Sequence, residues 1–310
     1  MTRLALVLTI LAAAGAASAS AAHFSPWNTG QKIDEIAGWN QDLNTAFLDG
    51  CPIQSPDGLS LYMASNRPGG LGGLDIWVAH RPSKDVGFGA PENLGEPVNS
   101  AADDFCPTPI RGKGLFFISR EPLAGSCGLG DIYFSRENPA HGWSEPTHLG
   151  CAPDGPNTAL DEMGPSYVET DSGASLYYSS SSATVPGDIF VSDQLADGTW
   201  GPSTPVAGLN SPGNDIQPNI RKDGLEIVFS SNYAYPGAKG GQDIYAATRD
   251  DASDPWSAPV NLGDGVNTPV GESRPSFTWD AQGLFFGRAP GPEGMSDIFR
   301  STRDKVRGSR

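Results

Sequence analysis

A nine-residue pattern recurs five times in the chain: Asn, Ser or Thr, three unrestricted residues, an acid, two more residues and Pro. The copies start at Asn44, Asn99, Asn157, Asn210 and Asn267, at intervals of 55, 58, 53 and 57 residues. Their acids are Asp49, Asp104, Glu162, Asp215 and Glu272, and their prolines are Pro52, Pro107, Pro165, Pro218 and Pro275. A fixed pattern at a near-constant period means one supersecondary unit copied along the chain, as in a propeller or a solenoid.

Each unit reads as four short strands. In the first, Pro52 to Ser55 forms a strand and Pro56-Asp57-Gly58 turns, with Pro presetting φ and Gly tolerating positive φ. Leu59 to Ser65 is a second, apolar strand; a glycine-rich loop leads to a third opened by Asp75-Ile76-Trp77, and Phe88 to Gly95 supplies an outer strand. The third-strand opening recurs as Asp131-Ile132-Tyr133, Asp188-Ile189-Phe190, Asp243-Ile244-Tyr245 and Asp297-Ile298-Phe299. The outer strand recurs around Trp143, Trp200 and Trp256. Four short strands per unit make a propeller blade.

The last unit stops after three strands, whereas a Phe24-Ser25-Pro26 segment stands spare before Asn44. Lending an N-terminal strand to the last blade removes both free sheet edges. The expected fold is therefore all-β: a five-bladed propeller of four-stranded antiparallel blades, closed by an N-terminal strand.

Ser55-Pro56-Asp57-Gly58, Leu61-Tyr62-Met63-Ala64-Ser65-Asn66-Arg67 and Asp75-Ile76-Trp77 together resemble the WD40-like propeller repeat of the TolB type. The resemblance spans roughly residues 44 to 310 and implies the propeller fold, without TolB's N-terminal domain and with five units in place of six.

Residues 1–21 carry the three parts of a secretory signal: Arg3, an apolar run from Leu4 to Ala14, and Ala19-Ser20-Ala21. The remainder, 22–310, is expected to be one exported domain, periplasmic or extracellular, monomeric and without a transmembrane segment. The full chain's net charge of −16 argues against a nucleic-acid partner.

Alternation of loops puts the five pattern acids on one face, termed the top, around the central opening. Such a ring suits a hard cation such as calcium, although local hydrogen bonding is the commoner use of these residues and no other cofactor is expected. The ligand-binding candidates on this face are the arginines that end second strands, Arg67, Arg120 and Arg288, and residues that differ between copies, Tyr233, Tyr235 and Arg274. Elbow, zincin and dinucleotide motifs are absent. The leading expectation is a non-enzymatic propeller binding a protein, peptide or glycan. The alternative is a glycoside hydrolase-like enzyme using mouth carboxylates. Equivalence of the five acids weighs against it, because acid and base need different environments.

Four cysteines in an exported chain suggest two disulfides. Cys51 and Cys106 hold equal register in adjacent units, and Cys127 and Cys151 share the second. The expected pairs are Cys51–Cys106 and Cys127–Cys151, with Cys106–Cys127 plus Cys51–Cys151 as the rival.

Overall fold

The computed structural model describes residues 23–306 apart from Lys113, Leu123 and Ala124; the expected secretory signal lies outside the described residues. Five antiparallel blades surround a central axis. The inner strands are Asp49–Gln54, Asp104–Ile110, Asp161–Thr170, Asp215–Ile220 and Gly271–Phe277. The second strands are Ser60–Ser65, Gly114–Ser119, Gly173–Ser181, Glu226–Ser231 and Gly283–Ala289. The third strands open on the five Asp-Ile-aromatic triplets.

Second strands are apolar at consecutive positions because both of their faces are covered. Side chains alternate across a strand. Leu61 and Met63 accordingly pack toward the fifth blade with Phe285 and Ile298, while Tyr62 packs toward the second with Leu115 and Phe117. Five buried apolar clusters fill the five interfaces between blades in this way.

Outer strands are shorter than the sequence suggests. Most keep two paired residues, such as Glu92–Asn93, and the second blade's is broken into Gly142–Trp143 and Thr147–His148. The fifth blade takes its outer strand from the N-terminus, as expected, but through Gln31–Lys32, which pair with Arg300 and Phe299. Phe24 instead pairs with Lys305 in a separate two-stranded ribbon. There it lies against the Arg303 guanidinium, 3.8 Å from its ring centroid.

Both sulfur pairs join as expected, Cys51 to Cys106 and Cys127 to Cys151, with Cα separations of 4.8 and 5.8 Å. Disulfides persist in oxidising compartments, which agrees with export. Among the described residues no helix is long and apolar enough to cross a membrane.

Candidate functional site

The repeated pattern is a set of ties between strands and turns. Its Asn bonds both backbone groups of the Ile in the preceding blade's triplet. Asn99 accepts from Ile76 N–H at 2.8 Å and donates to its carbonyl oxygen at 2.9 Å. Asn157 and Asn267 treat Ile132 and Ile244 alike. Its Ser or Thr donates to the acid four residues on: Thr45 to Asp49 at 2.8 Å, Ser100 to Asp104 at 2.7 Å, Thr158 to Glu162 at 2.6 Å, Ser211 to Asp215 at 2.6 Å and Thr268 to Glu272 at 2.6 Å. The acids lie at or next to the start of the inner strands, and all five are fully buried.

Identical register does not give identical surroundings. Asp49 is paired with Arg67 at 2.6 Å and Glu272 with Arg288 at 2.8 Å. Asp104, Glu162 and Asp215 have no arginine partner, and each keeps one buried oxygen without a hydrogen bond. Burial pushes the Glu162 carboxyl up to about 7, against the opposing bonds from Thr158 and Ser180. Burial raises Asp104 and Glu272 as well.

Two residues below each acid the inner strand bulges. Cys51, Cys106, Gly164, Gln217 and Arg274 all have left-handed backbones, with φ of 47°, 49°, 60°, 54° and 57°. Each precedes the pattern's Pro, and every inner strand shifts register there. Pro has no N–H to give a ladder, so a bulge is where a strand tolerates it. This ring narrows the axis to a cavity of about 30 Å³, closed on one side by the Cys51–Cys106 bridge. Arg274 reaches to Gly50 of the neighbouring first blade, where its Nη1 occupies the space that a Cβ would need. Its Nε has no partner, and burial lowers the guanidinium's pKa.

The other candidates from the sequence are dispersed around the top. Arg67 is buried and holds Asp49 and the Asp42 carbonyl oxygen. Arg120 is half-exposed and bridges Asp103 and Asp161 at 3.0 and 2.6 Å. Arg288 lies over Phe299, 4.1 Å from its ring centroid. Tyr233 and Tyr235 meet edge to face at 4.8 Å, and Tyr235 packs on Tyr245.

Donor atoms of the five acids do not converge. Among the described residues, the only His, Cys, Asp and Glu groups that come together as a metal site would are Cys127, His148 and Cys151. The two sulfurs there are bonded to each other, which leaves no thiolate to bind a metal.

The larger axial space is at the other end, and sequence reading missed it. Turns after the inner strands of all five blades surround a funnel of about 300 Å³. Its wall includes Arg111, Tyr167, Glu169, Lys222 and Trp279. The sequence signal was available: these turn positions differ from copy to copy, as ligand-facing residues do.

No family model and no curated protein matches the chain. Solved structures do resemble it. A thermostable family-43 glycoside hydrolase is similar at 12% identity and a TM-score of 0.56, over 84% of this chain and 90% of that one. A family-43 endo-arabinanase from Bacillus licheniformis gives 14% identity and 0.54 over 84% and 95%. A family-62 α-L-arabinofuranosidase catalytic domain from Coprinopsis cinerea gives 10% and 0.54 over 90% and 96%. A putative TolB from Agrobacterium tumefaciens resembles it at 15% identity with a TM-score of 0.48, which carries no argument. At these identities the likeness shows a shared fold, a five-bladed propeller.

The expectation of a non-enzymatic binding propeller, set against a glycoside hydrolase-like alternative, is corrected by these comparisons: the similar structures are glycoside hydrolases and arabinofuranosidases. The physical objection to that alternative, equivalence of the five acids, also fails. Arginine pairing separates Asp49 and Glu272 from the other three.

Proposed function

We propose that the protein is a glycoside hydrolase-like enzyme acting on a polysaccharide, with Glu162 as the proton donor. The carrying observation is the differentiated carboxylate set at the mouth: a Glu with its pKa raised to about 7 beside acids in other surroundings. Glycoside hydrolysis needs one carboxyl protonated near neutral pH to protonate the leaving oxygen, and a second that is ionised to act as base or nucleophile. Arginine-paired Asp49 and unpaired Asp104, in the two preceding blades, are the candidates for the second role. The similarity to a glycoside hydrolase and an arabinofuranosidase supports this reading.

Glu162 has no accessible surface in this conformation, so reaction requires the turn carrying Thr158, which hydrogen-bonds it, to lift. The test is release of reducing sugar from a panel of arabinans, xylans and other polysaccharides, comparing the parent protein with Glu162→Gln. Loss of activity in a folded Glu162→Gln protein is expected. Unchanged activity in that variant would place the acid elsewhere.

A further inference from the structure

The funnel opposite the acid ring is lined by more cations than carboxylates, in a chain that is acidic as a whole. Arg111 and Lys222 come from turns of the second and fourth blades and are exposed. Both approach the ring of Trp279 from the fifth blade, at 4.7 and 5.2 Å from its centroid. Neither has an ion-pair partner among the described residues, although the chain carries 36 acidic residues against 20 basic ones. The sole carboxylate in the wall is Glu169, and the Tyr167 hydroxyl donates to it at 3.3 Å. An anion entering the funnel would therefore meet two cations with no carboxylate paired to either among the described residues.

The remaining wall supports a sugar ring. Trp279 offers a ring N–H that makes no hydrogen bond among the described residues, and Gln54 brings a side-chain amide that is equally uncommitted. Ser166 and Thr108 are already engaged, Ser166 with the Ile220 N–H and Thr108 with the Pro165 carbonyl oxygen, so they hold the wall rather than the ligand. A cavity of about 300 Å³ is at the lower end of the range for small-molecule sites, and admits a sugar unit with its neighbours outside.

We propose that this funnel binds an anionic saccharide, with Arg111 and Lys222 pairing its acidic groups and the Trp279 ring N–H and Gln54 amide bonding its hydroxyls. Choosing a saccharide rests on the carbohydrate reading above; choosing an anion rests on the funnel alone. Guanidinium and ammonium groups both bind carboxylate and sulfate oxygens. Uronic and sulfated sugars share that chemistry. The site lies at the far end of the inner strands from Glu162, so it would hold substrate or product chain away from the reacting bond.

Calorimetric titration with an oligogalacturonate, a sulfated oligosaccharide and a neutral oligosaccharide of equal length tests this. At least one acidic ligand should bind, with affinity falling as salt rises, and the neutral one should bind at least tenfold more weakly. The Arg111→Ala/Lys222→Ala protein should lose at least tenfold in affinity while melting like the parent, since both side chains are exposed. Failure of both acidic ligands to bind, or binding unchanged in the double variant, would overturn the proposal. Glu162→Gln separates it from the enzymatic reading: that protein should bind the acidic ligand normally. Hydrolysis by a parent protein whose funnel binds nothing would leave the enzymatic reading intact and remove this one.

Discussion

Asn44 and Ile298 stand 254 residues apart and exchange two hydrogen bonds: the Ile298 N–H donates to Asn44 Oδ1 at 2.7 Å, and Asn44 Nδ2 donates to the Ile298 carbonyl oxygen at 3.1 Å. Asn99 makes the same pair with Ile76 across only 23 residues. One local device, used a fifth time at long range, thus closes the ring. Beside it the Asp49 N–H donates to the Ser296 carbonyl oxygen at 3.0 Å, as Asp104 does to Leu74 at 2.7 Å.

Asn44→Ala removes both bonds and leaves two buried backbone groups unsatisfied, so a loss of about 2–4 kcal/mol is expected. Asn99→Ala should cost a similar amount. Asn44→Ala alone should also raise self-association, because it loosens the joint that covers the edge of the fifth blade. Urea melts with light scattering read both effects. An Asn44→Ala protein as stable as the parent would show that the strand Gln31–Lys32 closes the ring unaided.

Glu162 should make stability depend on pH. Its pKa is about 7 in the folded protein against an ordinary 4.5, so the folded state binds more protons between those values. Stability from this group is fully present below about pH 4.5 and is lost as pH rises through 7, by an amount on the order of 3 kcal/mol. Glu162→Gln removes the charge and should flatten that part of the curve. Melts of both proteins from pH 4 to 8 check it, and parallel curves would mean that Glu162 titrates normally.

The bulge ring predicts an inverted preference for glycine. Gln217 sits at φ 54°, where a side chain is strained and a β-branched one more so. Gln217→Gly should match the parent within about 1 kcal/mol, while Gln217→Val should cost about 2 kcal/mol or more. Gly164→Ala should also destabilise, since its Cβ would lie 2.9 Å from the Gln217 Cα. Chemical denaturation of the three variants gives the order directly.

Removing the axial bridge tests its share of stability. Cys51 and Cys106 enclose 55 residues, a loop whose closure is worth about 4 kcal/mol by chain entropy. Cys51→Ala/Cys106→Ala should lose an amount of that order. A variant equal to the parent would mean that the blade contacts alone fix the joint.

Much of this architecture was legible because each element of the repeat has a local physical task. Asn needs a carbonyl and an N–H to bridge, Ser or Thr needs an acid four residues on, and Pro needs a bulge. Those needs fix spacing, and fixed spacing is visible in sequence. The Cys51–Cys106 bridge was legible for the same reason, since equal register in adjacent blades brings the two together, while Cys127–Cys151 was legible because both lie in the second unit. The left-handed ring was not read, because Cys, Gly, Gln and Arg share no chemistry; only the following Pro marks the position. The difference between Glu162 and Asp49 was also hidden. It depends on whether an arginine from a distant loop reaches the carboxylate, as Arg67 does to Asp49, and no spacing rule states that. The funnel escaped for a related reason: Arg111, Lys222 and Trp279 belong to three different units and meet only across the axis.

Hydrolysis of a polysaccharide under the control of Glu162 is the most direct measurement. Reducing-sugar release should be detected from at least one member of the panel, fall on the alkaline side with a midpoint near 7 as the Glu162 carboxyl ionises, and drop by at least a hundredfold in folded Glu162→Gln. No release from any substrate by the folded parent protein, or release that survives in Glu162→Gln, would contradict the account.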